Sequence, residues 1–400
     1  PLVGRPLEEA VEHFEAAAAR DPYLAPAYEH GLLALMRLGR RDEAREFNQR
    51  LQRTAAPRAA DEPVHFPTLL AQAYLERFEP EQAGPGREQL FDLSSPVSLG
   101  TAEFAARMGL AVDLPGVQLE LGRRLAAVPG ATDELRANGH LAQALALMVL
   151  GRPAEALPHF DDAAELLGSA DLALEAAEWR VLLPALGIDG IGEDEVARGR
   201  RMLEAAAAGG ADPGGRASWA LAIDAYGSGN VPAGRRWRRA IPTPADSGAP
   251  DSLNRLDRLA EAWEALALSD YRRALTRSAP LLAEQFLPRG GDPFWRAALH
   301  LLRARAYEGL GERAGARAER RWSENQDIAR VLGGRIQAVE VDWALSVHSD
   351  GERARLALAQ ADTAVACRLL RRVVRLWEAA EPPLAAVRSR AVGQHDALCS

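Results

Sequence analysis

Residues 10–44, AVEHFEAAAARDPYLAPAYEHGLLALMRLGRRDEA, decide the fold. Ala10, Phe14, Ala17 and Pro22 follow one another at intervals of four, three and five residues. Small Ala10 and Ala17 let their helix approach its neighbours closely, Phe14 fills the gap to the next hairpin, and Pro22 stops the helix after Asp21. Tyr28, Leu35 and Leu38 then carry an apolar face along a second helix. Gly39 ends it in the left-handed conformation that glycine adopts most cheaply. Ala44 begins the small-residue face of a third. The stretch predicts one helical hairpin and the junctions on either side of it.

Working outward, the same grammar recurs along the chain as an internal repeat. Leu150-Gly151-Arg152 with Ala156, Phe160 and Ala163 forms a clear unit, and Tyr307, Leu310-Gly311 and Ala316 form another. Weaker copies place hairpin turns near Phe78, at Asp113-Leu114-Pro115, Gly187, Ser228-Gly229-Asn230, Ser269-Asp270 and Ala361-Asp362. Successive turns from Gly39 onward lie 35 to 50 residues apart, most of them 36 to 42. The expected fold is all-α: an α-α superhelix, or solenoid, of about nine degenerate hairpins after an orphan half, each burying its apolar faces against its neighbours.

Composition supports this and removes several chemistries. Alanine, leucine, arginine and glutamate dominate, which favours helix at exposed positions. All 48 basic residues are arginine, and no lysine occurs in the 400 residues. A phosphate-cradling G-x-x-x-x-G-K loop, the strand lysine of a protein kinase and Schiff-base catalysis are therefore excluded. The net charge of −8 leans against a nucleic-acid surface. No run of roughly 18 apolar residues is available to span a membrane. Two cysteines, Cys367 and Cys399, argue against a disulfide framework or a thiolate zinc site and favour a reducing, cytoplasmic interior. The chain opens at Pro1, inside what reads as half a repeat, as expected of a fragment or a processed piece.

The runs at residues 10–44, 139–163 and 304–316 resemble tetratricopeptide repeats, although the spacing exceeds the strict period of roughly 34 residues. The closing run Val374-Arg375-Leu376-Trp377-Glu378-Ala379-Ala380-Glu381-Pro382 resembles the last repeat of large bacterial multidomain regulators. In those proteins a helical array follows a kinase, a DNA-binding domain or a cyclase. The resemblance implies a protein-binding scaffold, the sensory or regulatory arm of a bacterial signalling protein, with no cofactor and a protein or peptide as partner. A free-standing adaptor and a small-molecule receptor are the alternatives. The family's chaperone-binding members clamp a carboxylate with Lys and Asn, which are missing at the matching positions.

The expected organisation is helical repeats over 1–240, a proline-rich segment at 241–250, repeats over 251–382 and a capping helix over 383–400. Residues 241–250 serve either as an interdomain linker or as a long inter-hairpin loop. Breakers at Gly84-Pro85-Gly86, Pro129-Gly130, 209–215 and 288–293 fall where hairpins should meet.

No catalytic, cofactor or metal residues are expected. His13, His30, His65, His140, His159, His300, His348 and His395 form no H-E-x-x-H pattern and read as helix-surface or interface residues. Neither a G-x-S-x-G elbow nor a G-x-G-x-x-G opening a helix after a strand is found. Arg235, Arg236, Arg238 and Arg239 flank Trp237, and Arg368, Arg371, Arg372 and Arg375 precede Trp377. Such clusters could stack on bases, but in a lysine-free chain they read first as solvated positive faces. All eight tryptophans lie after residue 178. In the register fixed by Gly229 and Ser269, Trp219 and Trp263 fall on the face that lines the concave groove. His30, Arg37, Arg216, Arg305 and Glu308 join them as candidate partner-binding residues.

Overall fold

The computed structural model describes residues 7–55, 113–209, 214–242, 252–284, 293–322 and 336–399, with isolated residues between 71 and 110. The turn expected near Phe78, the Gly84-Pro85-Gly86 breaker, His65 and residues 243–250 lie outside them. The described residues form helices and no strand. They fall into two compact units: Pro1–Ala146 with Asn325–Ile336, and Leu147–Glu324 with Gln337–Ser400.

The first unit contains α1 (Leu7–Arg20), α2 (Ala25–Leu38), α3 (Arg41–Ala55), α4 (Pro115–Ala126) and most of α5 (Asp133–Val149). Helix α2 packs on both α1 and α3. The Phe47 ring lies against Gly31, where a Cβ would stand 2.6 Å from Cε1, and it meets Tyr28 at 5.2 Å. Helices α4 and α5 cross at a pair of glycines, with the Cβ position of Gly122 only 2.7 Å from the Gly139 carbonyl.

The second unit holds α6 (Pro153–Leu167), α7 (Ala170–Ala185), α8 (Glu193–Ala208), α9 (Arg216–Gly227), α10 (Val231–Arg239) and α11 (Ser252–Ala267). It continues with α12 (Tyr271–Ser278), α13 (Leu281–Glu284), α14 (Trp295–Gly309), α15 (Arg313–Glu319) and α16 (Ile336–Ala344). Helices α17 (Ser346–Leu358), α18 (Thr363–Leu376) and α19 (Leu384–Leu398) complete it. Consecutive helices pair as hairpins: α7 with α8, α9 with α10, α11 with α12, α14 with α15 and α17 with α18. Hairpin-to-hairpin packing joins α7, α9, α11 and α14 in succession. Helices α10 and α11, which flank residues 241–250, pack on each other, so that segment connects neighbouring hairpins of one unit.

Every expected turn among the described residues has the same construction. Gly39, Asp113, Gly151, Gly187, Gly229, Ser269, Gly311 and Ala361 all adopt φ between 57° and 78°. In each, the left-handed residue donates to the carbonyl three back, and the next residue donates to the carbonyl five before itself, as Gly151 to Met148 and Arg152 to Leu147. This pair of bonds satisfies carbonyls that the helix end leaves free. The following helix is then capped from its own sequence: Asn230, Asp270 and Asp362 each accept from the amide three residues on.

Two expectations are corrected. Hairpins of the second unit do not pack only on their neighbours, because its end returns to its beginning. The Glu381 amide donates to the Gly151 carbonyl at 2.9 Å, and its carboxylate accepts from the Ala154 and Glu155 amides at the start of α6. Trp377, 1% exposed, donates Nε1–H to the Val149 carbonyl at 3.1 Å. Deeper in, Trp179 of α7 stacks on Phe160 at 5.1 Å and meets Phe294 edge-on at 4.7 Å, with two hairpins intervening in the chain. The second correction concerns the cysteines. Cys367 and Cys399, read as members of no disulfide framework, are bonded to each other, with Cα atoms 5.6 Å apart.

Candidate functional site

Helices α7, α9, α11 and α14 pack in succession, and the faces on which the groove residues were expected are largely buried. Helix α9 buries every residue from Ala217 to Tyr226, and α14 every residue from Trp295 to Ala304. Helices apolar on one stripe would leave the other face open; these are enclosed on all sides. Trp219 and Trp263 accordingly are 0% and 1% exposed, so both belong to the core.

The charged candidates are engaged with the protein itself. Arg216 opens α9 and donates from Nε to Oε1 of Glu178 at 2.6 Å, while Glu178 on α7 is fully buried. The Arg305 guanidinium lies 5.4 Å over the Trp263 ring and donates from Nη1 to the Ala185 carbonyl at 3.2 Å. It rests against Gly187, whose φ of +73° and missing Cβ make the approach possible. Burial and the neighbouring Arg320 lower the Arg305 pKa, with Glu308 opposing them. Glu308 takes Arg320 on Oε1 at 2.9 Å and Arg355 on Oε2 at 2.7 Å. Trp263, Arg305 and Glu308 thus come together, with Arg216 and Trp219 on α9. His30 and Arg37 sit on α2 of the first unit. The His30 ring is half-buried, 5.6 Å from Phe14, and the side chain of Arg37 lies outside the described residues.

Sequence reasoning missed an ion cluster centred on a buried arginine. Arg180, on α7 and 1% exposed, binds Asp161 through Nη2 at 2.7 Å, Glu195 through Nε at 2.6 Å and the Ala176 carbonyl through Nη1 at 2.9 Å. Arg198 joins Asp161 at 3.0 Å. A cavity of about 180 Å³ opens beside this cluster, lined by Leu157, Pro158, Arg180, Gly190, Glu195 and Arg198 among others. Arg180 is closed off by its own partners, so the charged groups this wall offers to a small polar solute are the Arg198 guanidinium and the Glu195 carboxylate.

Similar clusters clasp the other hairpins. Arg303 and His300 share Glu319, at 2.7 and 2.8 Å. Burial pushes the Glu319 carboxyl up, yet hydrogen bonding from His300 and the charges of His300 and Arg303 hold it below its ordinary value. Arg353 and Arg372 share Asp350. The arginines around Trp237 are also largely engaged: Arg235 pairs with Glu264 at 2.8 Å and Arg238 with Asp257 at 2.7 Å, while Arg236 lies over Trp237. They join α10 to α11 rather than forming a free basic face. Near Trp377, Arg372 also donates to Ser346 Oγ at 2.9 Å.

Among the described residues no helix is long and apolar enough to cross a membrane. The chain matches no protein-family model, and no curated protein matches it.

Proposed function

We propose that this chain is a non-catalytic protein-interaction array of tetratricopeptide-like hairpins. It serves as the sensory or regulatory region of a larger bacterial signalling protein in the cytoplasm. The observation that carries the reading is the turn, repeated with one hydrogen-bond scheme at eight places from Gly39 to Ala361. Repeated hairpins of this kind build scaffolds whose work is recognition. The lysine-free composition removes the commonest phosphoryl-transfer and Schiff-base sites from the chain itself. With the inner face of the second unit occupied by its own side chains, recognition falls to the outer helices and to the first unit, where His30 and Arg37 lie.

Panning a displayed peptide library against the purified chain tests this. Enrichment of a sequence family that binds with micromolar or tighter Kd, weakened by substitution of His30 or Arg37, supports the reading. A library that yields no enriched sequence would remove it.

A second reading, a receptor for a small polar molecule, is favoured by the cavity beside Arg180. A thermal-shift screen against small organic acids and amines addresses it. A ligand whose shift disappears in Arg198→Gln would support that receptor.

A further inference from the structure

We propose that Cys367 and Cys399 form a redox-modification site, reduced by dithiols, that governs whether the last helix stays docked. The chain has no other cysteine, so its disulfide chemistry is confined to this pair. Cys367 lies in the second turn of α18, and Cys399 directly follows the last residue of α19. Their Cα separation of 5.6 Å sits in the range a disulfide requires without backbone movement. Both residues are half-buried, within reach of an attacking thiolate.

Helix α19 lies along α18 but buries few side chains there. Only Leu384 and Ala391 are buried along its 15 residues. Besides the disulfide, Arg388 ties it to α18 through one bond from Nε to the Val374 carbonyl at 3.2 Å. Beyond Ala391, the disulfide is the principal tether. The return contacts of Trp377 and Glu381 precede α19 and do not depend on the disulfide. Breaking the bond therefore frees the final helix and leaves the closure of the unit in place.

The chemistry is thiol–disulfide exchange. A thiolate of the dithiol attacks one sulfur and forms a mixed disulfide, expelling the other as a thiolate. The second thiol of the reductant then displaces the first cysteine and closes its own disulfide. Two electrons and two protons pass to the chain, giving two thiols. Oxidised glutathione or an oxidised dithiol protein reverses the step.

The test is thiol titration followed by hydrogen exchange on the full chain. Air-oxidised protein, denatured without reductant, should show no maleimide-reactive thiol, and protein treated with dithiothreitol should show two. Exchange across residues 384–398 should then accelerate on the order of a hundredfold on reduction. Exchange at 149–155 and through α6–α18 should be unchanged. Cys399→Ser should reproduce the reduced state without reductant, and Cys367→Ser should match it. Two reactive thiols in the oxidised sample would overturn the proposal. So would equal exchange at 384–398 in both states, or acceleration spread through the whole unit.

Discussion

The first and second helices of the hairpins in the second unit differ sharply. Helices α7, α9, α14 and α17 come first in their hairpins and are buried around most of their circumference, charges included. Helices α8, α10, α12 and α15 come second and bury very little, Gly234 alone on α10 and Ala316 alone on α15; α18, also a second helix, is the exception with five buried residues. The inner set carries Glu178, Arg180, Asp350 and Arg353, each under 10% exposed. The outer set supplies partners from a wet surface, as Arg235 does for Glu264. The difference teaches that one repeating hairpin can put its stability on one helix and leave the other free for contact.

That contrast can be broken most directly at its aromatic centre. Phe160→Ala empties a site stacked on Trp179 and should cost about 3–5 kcal/mol in urea unfolding. A loss below about 1 kcal/mol would mean that the inner face is not the core. Glu178→Ala leaves Arg216 without its carboxylate and should cost about 3 kcal/mol. A double-mutant cycle with Arg216→Ala should recover much of that loss.

A pH titration probes the same inner layer. Burial lowers the His348 pKa to about 4 from an ordinary 6.5, against the Trp377 ring 4.9 Å away. Between those values the unfolded chain holds a proton that the folded chain does not. The stabilisation is therefore complete above pH 6.5 and is lost as pH falls towards 4, by up to about 3 kcal/mol. Comparing unfolding midpoints at pH 7 and 4.5 for the native chain and His348→Phe should show a smaller pH dependence in the variant.

The turns and the outer surface give smaller effects. Ala361 holds φ of 57°, a conformation that disfavours a Cβ, so Ala361→Gly should stabilise by about 0.5–1 kcal/mol. Destabilisation instead would show that the turn is not left-handed there. Arg235→Ala removes a pair exposed on the arginine side and should cost about 0.5 kcal/mol. A loss several times larger would erase the distinction between outer and inner helices.

The turns were legible because a left-handed cap at a fixed place in a period marks itself, by glycine at five sites and by spacing at Asp113, Ser269 and Ala361. Core aromatics such as Phe160 followed from the same register. The inner charges were not legible, since a buried Arg180 and a solvated one look alike without the carboxylates brought to it by other helices. Arg305 shows the limit within the candidate site: its place near Glu308 follows from helical spacing, whereas its contact with Ala185 spans 120 residues. The cysteine pair gave no sign either, lying 32 residues apart, one within α18 and one just past the end of α19, with no motif around them.

The return of Glu381 to Gly151 and Ala154 also fixes a copy number. An array held only by adjacent contacts can gain or lose a hairpin and keep every remaining interface. Here an extra hairpin between α6 and α18 would carry residue 381 away from the amides it caps, some 226 residues earlier in the chain. A duplicated hairpin inside the second unit would therefore break this closure. Variation in length has to be accommodated outside that closure.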